Sequence, residues 1–264
     1  MSASPNPPEK PAPPSPMKAF LTATQFLLLS PAFIKRPFSA QELGAAVGYY
    51  PLVGLLLGGL LLAADLLLAL VMPPLVRAAL VLGLWVLLTG ALHLDGFLDA
   101  CDGLLGGSSP EQRMQIMRDE RVGAYALAGG ILLMLVKFSA LSALAPGNPA
   151  LLLAPVLGRW GMAIALVAYP YARPEGLGRD IKDHASWRQA LLATAFCLAV
   201  VAGTALWKSD WAVGAALAAA GAALWLGARF ALKRLPGLTG DIYGALNEII
   251  EAVVLLALVG LGAI

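Results

Sequence analysis

Seven stretches of this chain are apolar over enough residues to cross a lipid bilayer as helices, at about 47–71, 75–94, 122–145, 150–168, 190–207, 211–231 and 245–264. A chain that spends most of its length this way is a multispan membrane protein, because an ordinary soluble core has no room for so much apolar surface. Composition agrees: 59% of the 264 residues are hydrophobic and only 13% are charged. The formal charge of +2 is scattered among apolar runs and leaves no footprint for nucleic acid. Cys101 and Cys197 stand far apart and lack zinc-ligand spacing, so neither a disulfide framework nor a zinc site is implied.

Residues 1–16 contain seven prolines and no apolar run, which reads as a disordered tail and not as a cleavable signal peptide. Residues 17–30 are apolar but stop at Pro31, short of the roughly 20 needed to span. An interfacial or re-entrant helix is expected there, leading into Lys35-Arg36-Pro37. The connections between spans alternate between very short and longer polar ones. Fourteen of the eighteen lysines and arginines lie in the N-terminal arm, the 93–121 stretch, the 170–188 loop and the 229–234 turn. The positive-inside rule then puts those segments in the cytoplasm and the C terminus outside.

The most polar stretch, His93 to Arg121, carries Asp95, Asp99 and Asp102 at spacings of four and three. On a helix all three project from one face, where like charges repel unless a cation lies between them. Hard carboxylate oxygens with no histidine or thiol on the same face favour magnesium or calcium, and magnesium completes its shell with substrate phosphates. Glycines 103, 106 and 107 follow, then Ser109-Pro110-Glu111-Gln112, a capping-box start for a second, short helix. That helix is expected to end in Arg118, Asp119, Glu120 and Arg121, with the two arginines one turn apart as a clamp for phosphate oxygens. A solvated acidic loop is the plainer reading, but a charge run directly after an apolar span is normally basic.

Further charges fall inside or beside spans. His93 is either a proton carrier or an interfacial side chain with its tip in water. Lys137 lies midway along a span, where it must pair or face a polar cavity, and is expected to face the bundle interior. Asp65 and Arg159 carry the same ambiguity, Asp65 with simple pairing to a nearby cation as one reading. Tyr171 to Gly178, which includes Arg173, reads as an ordered polar loop. Asp241, Glu248 and Glu251, at spacings of seven and three, form a second acidic helical face that enters the last span.

At these residues the chain resembles the cobalamin synthase family, the adenosylcobinamide-GDP ribazoletransferases. H-L-D-G-F-L-D-A-C-D-G-L-L-G-G, residues 93–107, is similar to the family's H-L-D-G-x-x-D-x-x-D-G-L-x-G-G, and I-M-R-D-E-R-V-G at 116–123 to its I-M-K-D-S-R-x-G. R-P-F-S-A-Q-E-L-G, Y-P-L-V-G-L-L-L-G, Y-A-R-P-E-G-L-G and T-G-D-I-Y-G-A-L-N-E also have counterparts, so the resemblance covers most of residues 17–264. Glu120, Ala126 and Leu28 depart from the usual serine, glycine and threonine. The resemblance implies the joining of adenosylcobinamide-GDP with alpha-ribazole or its 5'-phosphate, releasing GMP, with magnesium as cofactor. Asp95, Asp99 and Asp102 would hold the metal, and a carboxylate would take the ribazole proton, Asp119 as first candidate and Asp102 as second. His93 joins the catalytic candidates, and Arg118, Arg121, Arg173, Lys137, Asp241, Asn247 and Glu248 those binding substrate or phosphate.

The expected fold is an all-α polytopic membrane helix bundle of about seven spans with a short N-terminal helix. It forms one catalytic domain over 17–264, integral to the cytoplasmic (inner) membrane with its active site on the cytoplasmic side. Two other readings compete. A CDP-alcohol phosphotransferase shares the D-x-x-D-G start at Asp99 to Gly103 but requires a following A-R and a later aspartate pair that are missing here. A transporter would use Lys137, Asp65, Glu251 and Arg159 as an ion path.

Overall fold

The computed structural model describes residues 14–208 and 211–262. Of the expected proline-rich tail, residues 1–13 lie outside the described residues, and Ser15 already caps the first helix by accepting from the Lys18 amide. The elements are α1 (Pro16–Leu27), α2 (Ala40–Ala46), a 3-10 turn (Val47–Tyr49), α3 (Tyr50–Leu68), α4 (Pro74–Leu88), α5 (Leu92–Gly106) and α6 (Pro110–Ile116). They continue with α7 (Ala124–Ala143), α8 (Ala150–Ala168), α9 (Leu177–His184), α10 (Trp187–Lys208), α11 (Ala212–Leu232) and α12 (Gly240–Gly260). Six helices are long and apolar enough to cross a membrane, and α4 with α5 passes the same test only as a bent pair taken together. The protein is an all-helical integral membrane bundle. At 12 residues α1 is too short to cross alone.

α8 and α12 form the centre. Glycines 54 and 58 bring α3 against α8 so closely that a Cβ at either would fall 2.5–2.7 Å from the carbonyl oxygens of Pro155 and Leu151. Small residues four apart do this in membranes, where contact between helices must come from packing because lipid is as apolar as the helices themselves. α12 then lies against α5, α7, α8 and α11.

Polar contacts sort the connections into two ends. At one, Arg77 reaches Asp65 at 3.2 Å and the Leu144 carbonyl at 2.6 Å, while Asp65 accepts from the Gly147 amide at 2.8 Å. Asp65 is therefore a pairing residue that ties two short connections together. At the other end, Gly44 of α2 packs on His184 of α9, Ala172 donates to the Leu238 carbonyl at 2.8 Å, and Thr239 meets Met117. Lys18 and Arg36 both close on Glu42 there at 2.6 Å, and Ser39 completes a capping box with Glu42. The four segments rich in lysine and arginine share this end, as their alternation along the sequence predicts.

Two expectations need correction. The span expected straight over 75–94 stops at Leu88, and α5 leaves α4 at 89°. Thr89 turns its hydroxyl back onto the carbonyls of Trp85 and Val86, and Gly90 and Ala91 take left-handed φ of 59° and 56°. Ala91 is the non-glycine residue with positive φ among the described residues, a conformation that costs an L residue roughly 1–2 kcal/mol. The acidic face thus lies on a helix of its own, as its spacing predicts, but one turned sharply away from α4 instead of following a straight span. The other correction concerns the clamp: α6 ends at Ile116, and Arg118 and Arg121 follow in a turn instead of sharing a helix face. Asp119 stops the helix, because its carboxylate accepts the Arg121 amide at 3.1 Å and offers the backbone a local alternative.

Candidate active site

The break after α4 aims α5 across the first turn of α12. Gly96 and Gly244 meet where these helices cross: a Cβ on Gly96 would lie 3.0 Å from the Asp241 carbonyl, and one on Gly244 3.1 Å from that of His93. The contact brings the acidic face of α5 beside Asp241, so Asp99 stands in the electrostatic field of Asp95, Asp102 and Asp241 and of the Arg173 guanidinium. Arg173 is held by the paired backbones around Tyr171 and Leu238 and closes on Asp241 at 2.7 Å, where Thr239 also donates at 3.2 Å.

A cavity of about 700 Å3 opens between α1, α3, α5, α8, α9, α12 and the 171–178 loop. Asp95, Arg118, Arg173 and Asp241 line it, and so does His93. His93 is 2% exposed with neither ring nitrogen partnered among the described residues, which overturns the reading that places its tip in water. Tyr50, Tyr171, Tyr243 and Glu175 also line the cavity. Sequence reasoning passed over them, although Tyr171 and Tyr243 each stand within two residues of a charged candidate.

Other expected site residues go elsewhere. Asp102 is engaged by α7, accepting from the Gly123 amide at 2.6 Å and the Ala126 amide at 2.9 Å, and so caps that helix from outside. Asp119 and Arg121 pair with each other on the surface at 2.7 Å, and the guanidinium holds the Asp119 carboxyl down at about 2. Lys137, Asn247 and Glu248 do not line the cavity. Lys137 is 2% exposed, faces the bundle interior as its depth requires, and pairs with Glu248 and, at 2.6 Å, with Glu251. Arg159 reaches Glu251 at 3.1 Å, Asn247 donates to it at 3.0 Å, and the Lys137 ammonium sits 4.8 Å from the Trp85 ring centre. Two cations and two carboxylates balance, which is the condition for keeping such charges in a helical interior. Among the described residues no three histidine, cysteine or acidic side chains close on one point. A cation at the Asp95–Asp99 edge would draw the rest of its shell from water and substrate, the habit of magnesium, and the all-oxygen donors fit that ion.

A polytopic helix bundle with carboxylates and guanidinia gathered in a cavity at its basic end is an integral membrane protein equipped to hold an anionic ligand. A family model described as cobalamin-5-phosphate synthase matches residues 19–259, and the chain belongs to that family. Similar relatives include the adenosylcobinamide-GDP ribazoletransferase of Pseudomonas syringae pv. syringae, 42% identical over 92% of this chain and 99% of the relative. Those of Stutzerimonas stutzeri and Pseudomonas aeruginosa are 41% and 42% identical, each over 92% of this chain and 98% of the relative. No solved structure matches the chain.

Proposed function

We propose that the chain joins adenosylcobinamide-GDP to alpha-ribazole, or to its 5'-phosphate, giving adenosylcobalamin or its phosphate and GMP. The observation that carries this reading is the convergence of Asp95, Arg118, Arg173 and Asp241 on one cavity. That is the equipment for a diphosphate: guanidinium forks for its oxygens and carboxylates for its counter-ion. A ribazole hydroxyl attacks the phosphorus nearer the corrinoid, a new P–O bond forms, and the bond to the GMP oxygen breaks. Asp95 and Asp99 would hold a magnesium ion, which would supply positive charge along the diphosphate, while Asp102 stays engaged with the start of α7. Arg118 and Arg173 orient the phosphates from the cavity wall.

Asp119 takes the hydroxyl proton in this scheme. Asp119 directly follows the cavity-lining Arg118, and its surface pair with Arg121 must open before the carboxylate can accept a proton. Lys137, Asn247 and Glu248 serve by holding α7 and α12 in register behind His93, not by touching phosphate. The active site faces the cytoplasm across the inner membrane, following the lysine and arginine asymmetry, and residues 17–264 act as one catalytic domain. The transporter reading loses its ion path, since Asp65 is paired with Arg77 at the opposite end from the cavity. Purified protein in detergent with magnesium should release GMP from adenosylcobinamide-GDP only when alpha-ribazole is added. Release without ribazole, or none with it, would sink the proposal.

A further inference from the structure

The cavity is graded in polarity. Asp95 and Arg118 are exposed and Arg173 and Asp241 half-buried, so its charged groups stand at the mouth. Its floor holds Tyr50, His93 and Tyr243, which are 1%, 2% and 4% exposed. Both phenol oxygens and both imidazole nitrogens there have no hydrogen-bond partner among the described residues. Each such buried group left alone costs about 1–3 kcal/mol. The three side chains come from the first turns of three different helices, α3, α5 and α12, so one local distortion cannot account for them. Between them the wall is apolar, with Phe26, Leu27, Met162 and Leu166.

Resting on the reading of the function above, we propose that this floor binds the aromatic base of the acceptor nucleoside, a fused bicyclic ring with one free ring nitrogen, and that the donor's guanine binds elsewhere. Guanine presents several donors and acceptors along one edge, and its N1–H and amino group call for a carboxylate or carbonyl acceptor. All the carboxylates lining the cavity stand nearer its mouth. A benzimidazole-type base needs one donor for its ring nitrogen and apolar walls for its carbocyclic edge, which a phenol or imidazole N–H and the surrounding aliphatic and thioether groups provide. The ribose and its reacting hydroxyl then point toward the charged mouth. In this arrangement His93 is a binding residue and not a proton carrier.

The test measures equilibrium binding of alpha-ribazole and of GMP, each alone, to wild type, Tyr50→Phe, Tyr243→Phe and His93→Phe in detergent. The tyrosine changes are close to isosteric and remove an unpaired hydroxyl, so the free protein should melt at the same temperature or higher. Loss of the group that pairs the ring nitrogen should weaken alpha-ribazole binding by about five- to tenfold and leave GMP binding unchanged. Unchanged alpha-ribazole affinity in all three variants, or weakened GMP binding in its place, overturns the assignment. The two readings fail separately: wild type that binds alpha-ribazole through these residues but never releases GMP defeats the proposed reaction alone. GMP release with normal alpha-ribazole affinity in every variant defeats the floor assignment alone.

Discussion

Asp95 and Asp102 have the same chemistry and sit two helical turns apart, yet the structure gives them different work. Asp102 satisfies two amides at the start of α7, so Asp102→Ala should destabilise the protein by about 1 kcal/mol, the usual cost of a lost cap. Asp95 lines the open cavity, and Asp95→Asn should leave the melting temperature without magnesium equal or higher while turnover falls by about two orders of magnitude. Melting curves with and without magnesium, set beside GMP release, check both; equal melting temperatures for the two variants would contradict the division of labour. In the interior, Lys137→Met leaves Glu248 and Glu251 facing Arg159 alone. Breaking a buried pair in this way costs about 3–5 kcal/mol. Adding Glu248→Gln restores the charge balance and should recover much of the lost thermal stability in detergent. A double variant no more stable than the single one would show that these charges are not paired as described.

At the level of the elements, the break between α4 and α5 decides where the acidic face points. Ala91 is strained at φ 56°. In Ala91→Gly the relief of roughly 1–2 kcal/mol outweighs the backbone entropy of glycine, about 0.5–1 kcal/mol. That variant should melt slightly higher than wild type, and Ala91→Val, which crowds the same conformation, clearly lower. The helices were legible in the sequence because apolar run length is a local property, and the shared face of Asp95 and Asp99 followed from spacing alone. The break was not, since Thr89-Gly90-Ala91 reads as tolerable helix and only the close passage of α5 over Gly244 makes the bend worthwhile. The arginine clamp failed for a similar reason: Asp119 competes for the backbone of the residue two ahead, and side-chain spacing does not register that. Tyr50 escaped notice because a tyrosine at the start of an apolar run looks like core until a cavity is found at its hydroxyl, and Tyr243 because the charge of Asp241 two residues before it took the attention.

For the whole molecule, the two-ended arrangement predicts a labelling pattern. In a background with Cys101→Ala and Cys197→Ala, cysteines at Ser108 and Ser186 should react with an impermeant reagent only from the cytoplasmic side of inner-membrane vesicles, and one at Ala145 only from the other. Reaction of Ser108→Cys and Ala145→Cys from the same side would mean that α4 and α5 re-enter without crossing. The paired charges in the interior also set a timetable for biogenesis. Lys137 and Arg159 emerge from the ribosome on α7 and α8, whereas both of their counter-ions lie on α12, which is made well after them. Until then each basic residue costs a few kcal/mol at the middle of a bilayer. A ribosome-bound chain stopped before residue 240 should therefore hold α7 and α8 at the insertion machinery, detectable by crosslinking, and release them once Glu248 and Glu251 arrive. Lys137→Met with Arg159→Met should let the same truncated chain pass into lipid early.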